Sequence, residues 1–182
     1  IHPMEMAKKI EAAAKGRRDP DFIINARTDA IAVEGIEGAI RRARIYAEAG
    51  ADMIFPDAVR GEDDIRALVE AVPIPISINI GFGIRNRPTT PLVPVVRLRE
   101  IGVRRVSVPR MLPAAAIRAM TESLRLLRLS VETGEVVDRP DLLASIEEIK
   151  ALMDYESLER LEEELLLPEQ IFRKYQAEKA SI

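Results

Sequence analysis

The chain has 182 residues, is 47% hydrophobic and 31% charged, carries a formal net charge of −3 and contains no cysteine. That length fits one domain with a sizeable core, and the lack of cysteine excludes disulfides, thiolate nucleophiles and cysteine metal sites from these residues. The acidic balance, with no basic tract interleaved with aromatics, argues against a nucleic-acid surface, and no apolar run approaches the roughly 20 residues that span a bilayer.

A cytoplasmic protein is therefore the default expectation. The start, Ile1-His2-Pro3-Met4-Glu5, is not a signal peptide, and without an initiator methionine the chain reads as beginning partway through a longer protein. Aromatics make up only 4% and tryptophan is absent, so the core falls to Ile, Leu, Val and Ala.

Residues 4–15 read as a helix, with Pro3 at its first position and Gly16 at its end. A strand follows at 22–27. Glu34 to Ala49 reads as a helix with Ile36, Ala39, Ile40, Ala43 and Ala47 at helical spacing, closed by Gly50. The next strand is 52–56, and Glu62 to Ala71 is a helix with Ile65, Leu68 and Val69 on one face. Residues 74–80 make a third strand, although Pro75 removes one backbone donor near its start. A Gly- and Pro-rich loop spans 81–91, a short helix covers 93–101, a strand covers 103–108, and a long helix runs over 113–132. These βα units recur at about 25–30-residue spacing, the rhythm of a parallel sheet.

After Gly134 the character changes. Residues 136–140 connect to helices at 141–152 and 155–167, which divides the chain into a βα part, 1–134, and a helical extension, 135–182. The last helix carries Leu158, Leu161, Leu165 and Leu166 against five glutamates, with Asp154 as N-cap and Pro168 as stop. Such a leucine stripe must bury, either on this chain or on another subunit. The four βα units are half the number that closes a barrel. The chain is thus a small open α/β sheet or the second half of a (β/α)8 barrel.

Each strand ends in a polar or charged residue where apolar packing stops, and in parallel α/β folds these C-terminal ends hold the active site. Phe22 to Ile24 leads into Asn25-Ala26-Arg27-Thr28-Asp29. The other ends are Asp57, Asn79 and, beyond the last strand, Arg110. A strand-end guanidinium such as Arg27 suits bidentate binding of a carboxylate or phosphate. The competing reading is a structural ion pair with Asp29 or Asp57. Asp57 fits a base, a water-mediated metal contact or an orienter of Arg27, against the plainer reading of a turn residue. Asn79 both donates and accepts hydrogen bonds, and Gly81 and Gly83 allow backbone to approach a ligand closely. Arg110 and Arg118 read as solvated surface residues, and His2, the only histidine, as a solvated or frayed terminal residue.

At Asn25-Ala26-Arg27-Thr28-Asp29-Ala30, then Ala32-Val33-Glu34-Gly35, and through Ala49-Gly50-Ala51-Asp52-Met53-Ile54-Phe55-Pro56-Asp57-Ala58, the chain resembles the isocitrate lyase and phosphoenolpyruvate mutase superfamily. Its nearest likeness there is to the 2-methylisocitrate lyases. The likeness continues at Pro75-Ile76, Asn79-Ile80, Val108-Pro109, Arg118-Ala119-Met120 and Met153-Asp154-Tyr155, so it covers nearly the whole chain. It implies a (β/α)8 barrel with Mg²⁺ and a 2-oxo- or 2-hydroxycarboxylate ligand. It also implies a carbon–carbon lyase reaction through an enolate stabilised by the metal. A phosphonomutase or an oxaloacetate decarboxylase of the same superfamily is the alternative, and a non-catalytic half-barrel that serves assembly is the alternative from another class. The family's tetramers swap a C-terminal helix between subunits, a role that fits residues 155–167.

Matched by position, Arg27 binds the substrate carboxylate, and Asp57 stands where lyases of this family often carry a glutamate. Asn79, Ile80 and Gly81 occupy the substrate-contacting stretch after the seventh strand, and Arg118 matches a substrate-contacting arginine. Ile146 stands where a further arginine is expected, so the resemblance leaves both a di- and a tricarboxylate substrate open. The family's metal aspartates and its Lys-Lys-Cys-Gly-His loop have no counterpart here. The resemblance therefore implies half a pocket, without direct metal ligands or general acid.

Overall fold

Proline chemistry starts the first helix, α1 (Pro3–Gly16). Pro3 presets φ, and the Nδ1 atom of His2 caps the helix by accepting the Met4 N–H at 3.3 Å. The lone histidine, expected to be solvated or frayed, is exposed and yet acts as a helix cap. The computed structural model describes residues 1–86, 88–167, 169–171 and 173.

Three βα repeats follow, and a fourth strand leads into a long helix. The elements are β1 (Asn25–Thr28), α2 (Ile31–Glu48), β2 (Met53–Pro56), α3 (Glu62–Ala71), β3 (Ser77–Asn79), α4 (Val95–Ile101), β4 (Arg105–Ser107) and α5 (Met111–Thr133). Two further helices follow, α6 (Ile146–Leu152) and α7 (Tyr155–Leu165). β1 pairs with β2 and β3 with β4, both in parallel, and a single parallel bridge joins Ile54 to Ile76. The strands therefore lie side by side in chain order, as the βα rhythm predicts. Among the described residues no further strand pairs with the outer edge of β1 or β4.

The strands are shorter than the apolar runs suggest. Phe22 and Ile23, expected in the first strand, lie outside it and are exposed. The cause is a polar clasp. Asp52 accepts the Ile24 N–H at 2.8 Å and the Arg17 guanidinium at 2.6 Å, and Arg17 also donates to the Phe22 carbonyl. Backbone that would enter a ladder is spent there. The third strand begins at Ser77 because Pro75 lacks a donor, although its carbonyl still accepts the Ile54 N–H at 2.9 Å. β4 likewise covers only Arg105–Ser107 of the expected 103–108, and the Val103 N–H is taken by Leu98 in the turn after α4.

Helix boundaries shift for local reasons. α2 starts at Ile31, not Glu34, but Gly35 at φ 68° breaks its regularity. α4 starts at Val95, after Pro94. α6 begins only at Ile146, where Ser145 and Glu148 form a reciprocal capping box. Asp154 occupies the N-cap of α7 in a left-handed conformation, and its side chain makes no cap bond. Pro168, expected as the stop, lies outside the described residues.

The chain divides into two compact units, one of Ile1–Ala116 and one beginning at Ile117, so the compositional break at Gly134 falls inside the second. In the first unit the core lies between the sheet and helices α1–α4. Ala39, Ala43, Ile54, Leu68 and Leu98 are all fully buried, with Tyr46, Ile65, Ile76 and Ile78 nearly so. The two alanines of α2 let that helix lie close to β1 and β2, which it contacts. In the second unit no residue of α6 or α7 is buried, and Leu158 and Leu161 of the leucine stripe remain about half exposed. Among the described residues no helix is long and apolar enough to cross a membrane.

One charged residue belongs to the core. Asp64, 8% exposed, accepts the backbone N–H of Arg60 at 2.9 Å and two guanidinium N–H groups of the same residue. Those guanidinium bonds hold its carboxyl below the ordinary aspartate value, against the opposing effect of burial. Replacing Asp64 by Asn should lower stability by about 1–3 kcal/mol at neutral pH. Because the folded-state value is depressed, this contribution is complete above the ordinary aspartate value of about 4 and is lost as pH falls through the lower folded-state value. Urea unfolding of wild type and variant should show a gap near pH 7 that shrinks below about pH 3. An undiminished gap at low pH would refute the pairing as its source.

Candidate functional site

Alternating burial sorts the strand residues onto two faces. Ala26, Thr28, Ile54, Pro56, Ile76, Ile78 and Ile80 face the helices and are buried. Asn25 and Arg27, Met53 and Phe55, Ser77 and Asn79, and Arg105 and Ser107 take the other face. That second face is mostly polar and internally bonded. Arg105 donates to the Ser77 hydroxyl at 2.9 Å, and the Ser107 hydroxyl donates to Asn79 Oδ1 at 3.3 Å.

At its C-terminal end stands Arg27. Its Nε donates to Asp29 Oδ1 at 2.7 Å, and one terminal nitrogen, Nη2, donates to Asp29 Oδ2 at 3.3 Å and to Asp57 Oδ2 at 2.8 Å. The guanidinium carbon lies 5.3 Å from the centre of the Phe55 ring, its register partner on β2. The Asp29 hydrogen bond, aided by the charge of Asp57, raises the guanidinium further above its ordinary value. Arg27 is a permanent cation. Both ion pairs that the sequence offers as the plainer reading are thus formed, and Nη1 makes no hydrogen bond to the protein among the described residues.

Phe55 is the member of this site that sequence reasoning missed. The available signal was its place on the strand preceding Asp57, one full alternation before the acid. The flank of β1 opens into a cavity of about 490 Å³ lined by Arg27, Thr28, Asp29, Met6, Arg42 and Tyr46, among others. Arg42 within it is occupied by Glu34, whose carboxylate also pairs with Arg41.

The other candidates fall differently. The Asp57 backbone continues the β1–β2 ladder, its N–H donating to the Thr28 carbonyl at 2.9 Å. Thr28 sends its hydroxyl to the core side, where it accepts the Ala30 N–H. Asn79 lies on the polar face. Ile80 has its side chain in the core, and both its backbone groups are used, the N–H by Ser107 and the carbonyl by Phe82. Gly81 is approached closely by the backbone of Thr90. A Cβ there would lie 2.3 Å from the Thr90 carbonyl oxygen. Thr90, at φ 57°, donates its N–H to Val59, so Thr90 straps the chain after β2 to Gly81 at the end of β3. Arg118 is exposed on α5 in the second unit, as is Arg110 in the first.

No group of three or more His, Cys, Asp or Glu side chains gathers among the described residues. Asp57, the one candidate for a water-mediated metal contact, already pairs with Arg27. The described residues do not fit a Mg²⁺ site.

The strap makes a prediction. Changing Gly81 to Ala should cost about 1–3 kcal/mol, since the added methyl meets backbone rather than a flexible side chain. Thermal unfolding should register the loss, and hydrogen exchange at the Thr90 amide should quicken. An unchanged melt and unchanged exchange would show that the loop is not held at this point.

The family model of phosphoenolpyruvate phosphomutase matches residues 1–128. The chain is 41% identical over 135 residues to the 2-methylisocitrate lyase of Escherichia coli K12, an alignment covering 74% of this chain and 44% of that protein. Among solved structures it resembles 2,3-dimethylmalate lyase, a PEP mutase/isocitrate lyase superfamily member, with a TM-score of 0.74 at 20% identity over 90% of this chain and 55% of that one. It also resembles a phosphonopyruvate hydrolase complexed with oxalate and Mg²⁺, with a TM-score of 0.63 at 27% identity over 92% of this chain and 57% of that one. The chain spans about half the length of the curated relatives it matches.

Proposed function

The chain belongs to the phosphoenolpyruvate phosphomutase family, within the PEP mutase/isocitrate lyase superfamily, and from that premise we propose that it is the carboxylate-gripping half of a carbon–carbon lyase. The substrate class is a 2-hydroxy- or 2-oxo-di- or tricarboxylate, as for the 2-methylisocitrate lyases it is similar to. The observation that carries this reading is Arg27. A permanent cation at a strand end, aimed by two carboxylates and an aromatic ring, keeps one terminal nitrogen for a ligand.

In this reading the four parallel strands are the second half of a (β/α)8 barrel, and the remaining βα units come from outside these 182 residues. Arg27 binds and orients the substrate carboxylate, Asp29 and Phe55 hold Arg27 in place, Asp57 pairs with it, and Asn79 borders the pocket. Ile80 and Gly81 shape the wall from behind. Mg²⁺ belongs to the complete enzyme and supplies electrostatic stabilisation of an enolate when bound. In this reading its direct ligands lie outside these 182 residues. The half-exposed leucine stripe of α7 supports burial against another subunit in a homo-oligomer, a tetramer by family likeness.

The test is an assay of the protein with its upstream βα units, under Mg²⁺, against 2-methylisocitrate, isocitrate and oxaloacetate. Cleavage of one of them is expected, and Arg27→Gln should lower kcat/KM by about 10²–10³-fold. No turnover of any of the three, or an Arg27 variant with full activity, would overturn the proposal.

A further inference from the structure

A guanidinium offers two bidentate faces to carboxylates, the side-on pair Nε and Nη2 and the end-on pair Nη1 and Nη2. In Arg27 the side-on face is filled by both oxygens of Asp29. A second carboxylate can dock with two bonds only on the end-on face, and there Asp57 already holds Nη2 at 2.8 Å. A third anion beside one cation and two carboxylates would also leave the cluster with excess negative charge.

We infer that Asp57 is a stand-in for the ligand carboxylate. It occupies half of the end-on face and is displaced from Nη2 when a ligand takes that face. The inference rests on the reading of Arg27 as the carboxylate grip.

The surroundings suit such an exchange. The backbone of Asp57 is tied to Thr28, so only its side chain has to turn, and that side chain is 27% exposed and can reach water. Arg27 itself stays in place, because Asp29 keeps two bonds to it and the Phe55 ring keeps its position against the guanidinium. Asp29 is thereby the anchor and Asp57 the competitor. Asp57 is a positioning residue that sets affinity through Arg27.

Oxalate, a small dicarboxylate, is a suitable probe for calorimetric titration of the protein with its upstream βα units. Asp57→Asn should bind it about tenfold more tightly than wild type, because a charge-assisted competitor is gone. Asp57→Ser should gain similarly, Asp57→Glu should stay near wild type, and Arg27→Met should lose binding with or without the Asp57 change. Equal or weaker binding by both Asp57→Asn and Asp57→Ser, with Arg27→Met still abolishing it, overturns the stand-in role and leaves the Arg27 reading intact. Unchanged binding by Arg27→Met overturns that reading itself, and no binding by any folded variant overturns both.

Discussion

Ala26 and Thr28 are packed beneath α2, and successive residues of a strand point to opposite faces, so Arg27 is turned out of the core. The same alternation frees Phe55 by burying Ile54 and Pro56, and turns Asn79 to the polar face, where Ser77 is itself buried. The polar face is therefore a by-product of apolar burial on the other. A slip of one residue in register would bury a guanidinium and expose isoleucine, a change that costs far more than any bond the site itself makes. This is why a cation, an aromatic ring and two carboxylates meet reproducibly at one point.

Charge then refines what alternation permits. Arg27 is shared between Asp29 and Asp57, and Arg17 is fixed by Asp52 across the base of β1. Both sites are partly solvated, so their worth lies in orientation more than in stability. Arg105 on Ser77 and Ser107 on Asn79 extend the polar face to β4 without any carboxylate.

The helices and the order of the strands were legible in sequence, because Ile65, Leu68 and the Ala39–Ala43 face carry a strong period and glycines mark the ends. The site was half legible. Arg27 and Asp57 stood out as charges at the ends of apolar runs, whereas the role of Phe55 depends on a register between two strands that one-dimensional pattern does not supply. Phe22 and Ile23 misled because apolar character reports burial in the average case, and a side chain from 28 positions further on, Asp52, claimed the neighbouring backbone. Gly81 was legible in part. Its missing Cβ does mark a close approach, but the approaching backbone belongs to Thr90. His2 was undervalued because a cap depends on the local turn, not on any distant pattern.

The ladder pairs place Asn25 opposite Met53 and Ser77 opposite Arg105, so each joins positions one βα repeat apart. Every strand meets its neighbour as soon as one intervening helix has been made, and no pairing waits for a remote part of the polypeptide. Parallel sheets usually fold slowly because their contacts close long loops. Here closure proceeds in modest steps, so the sheet is able to grow strand by strand in the direction of synthesis.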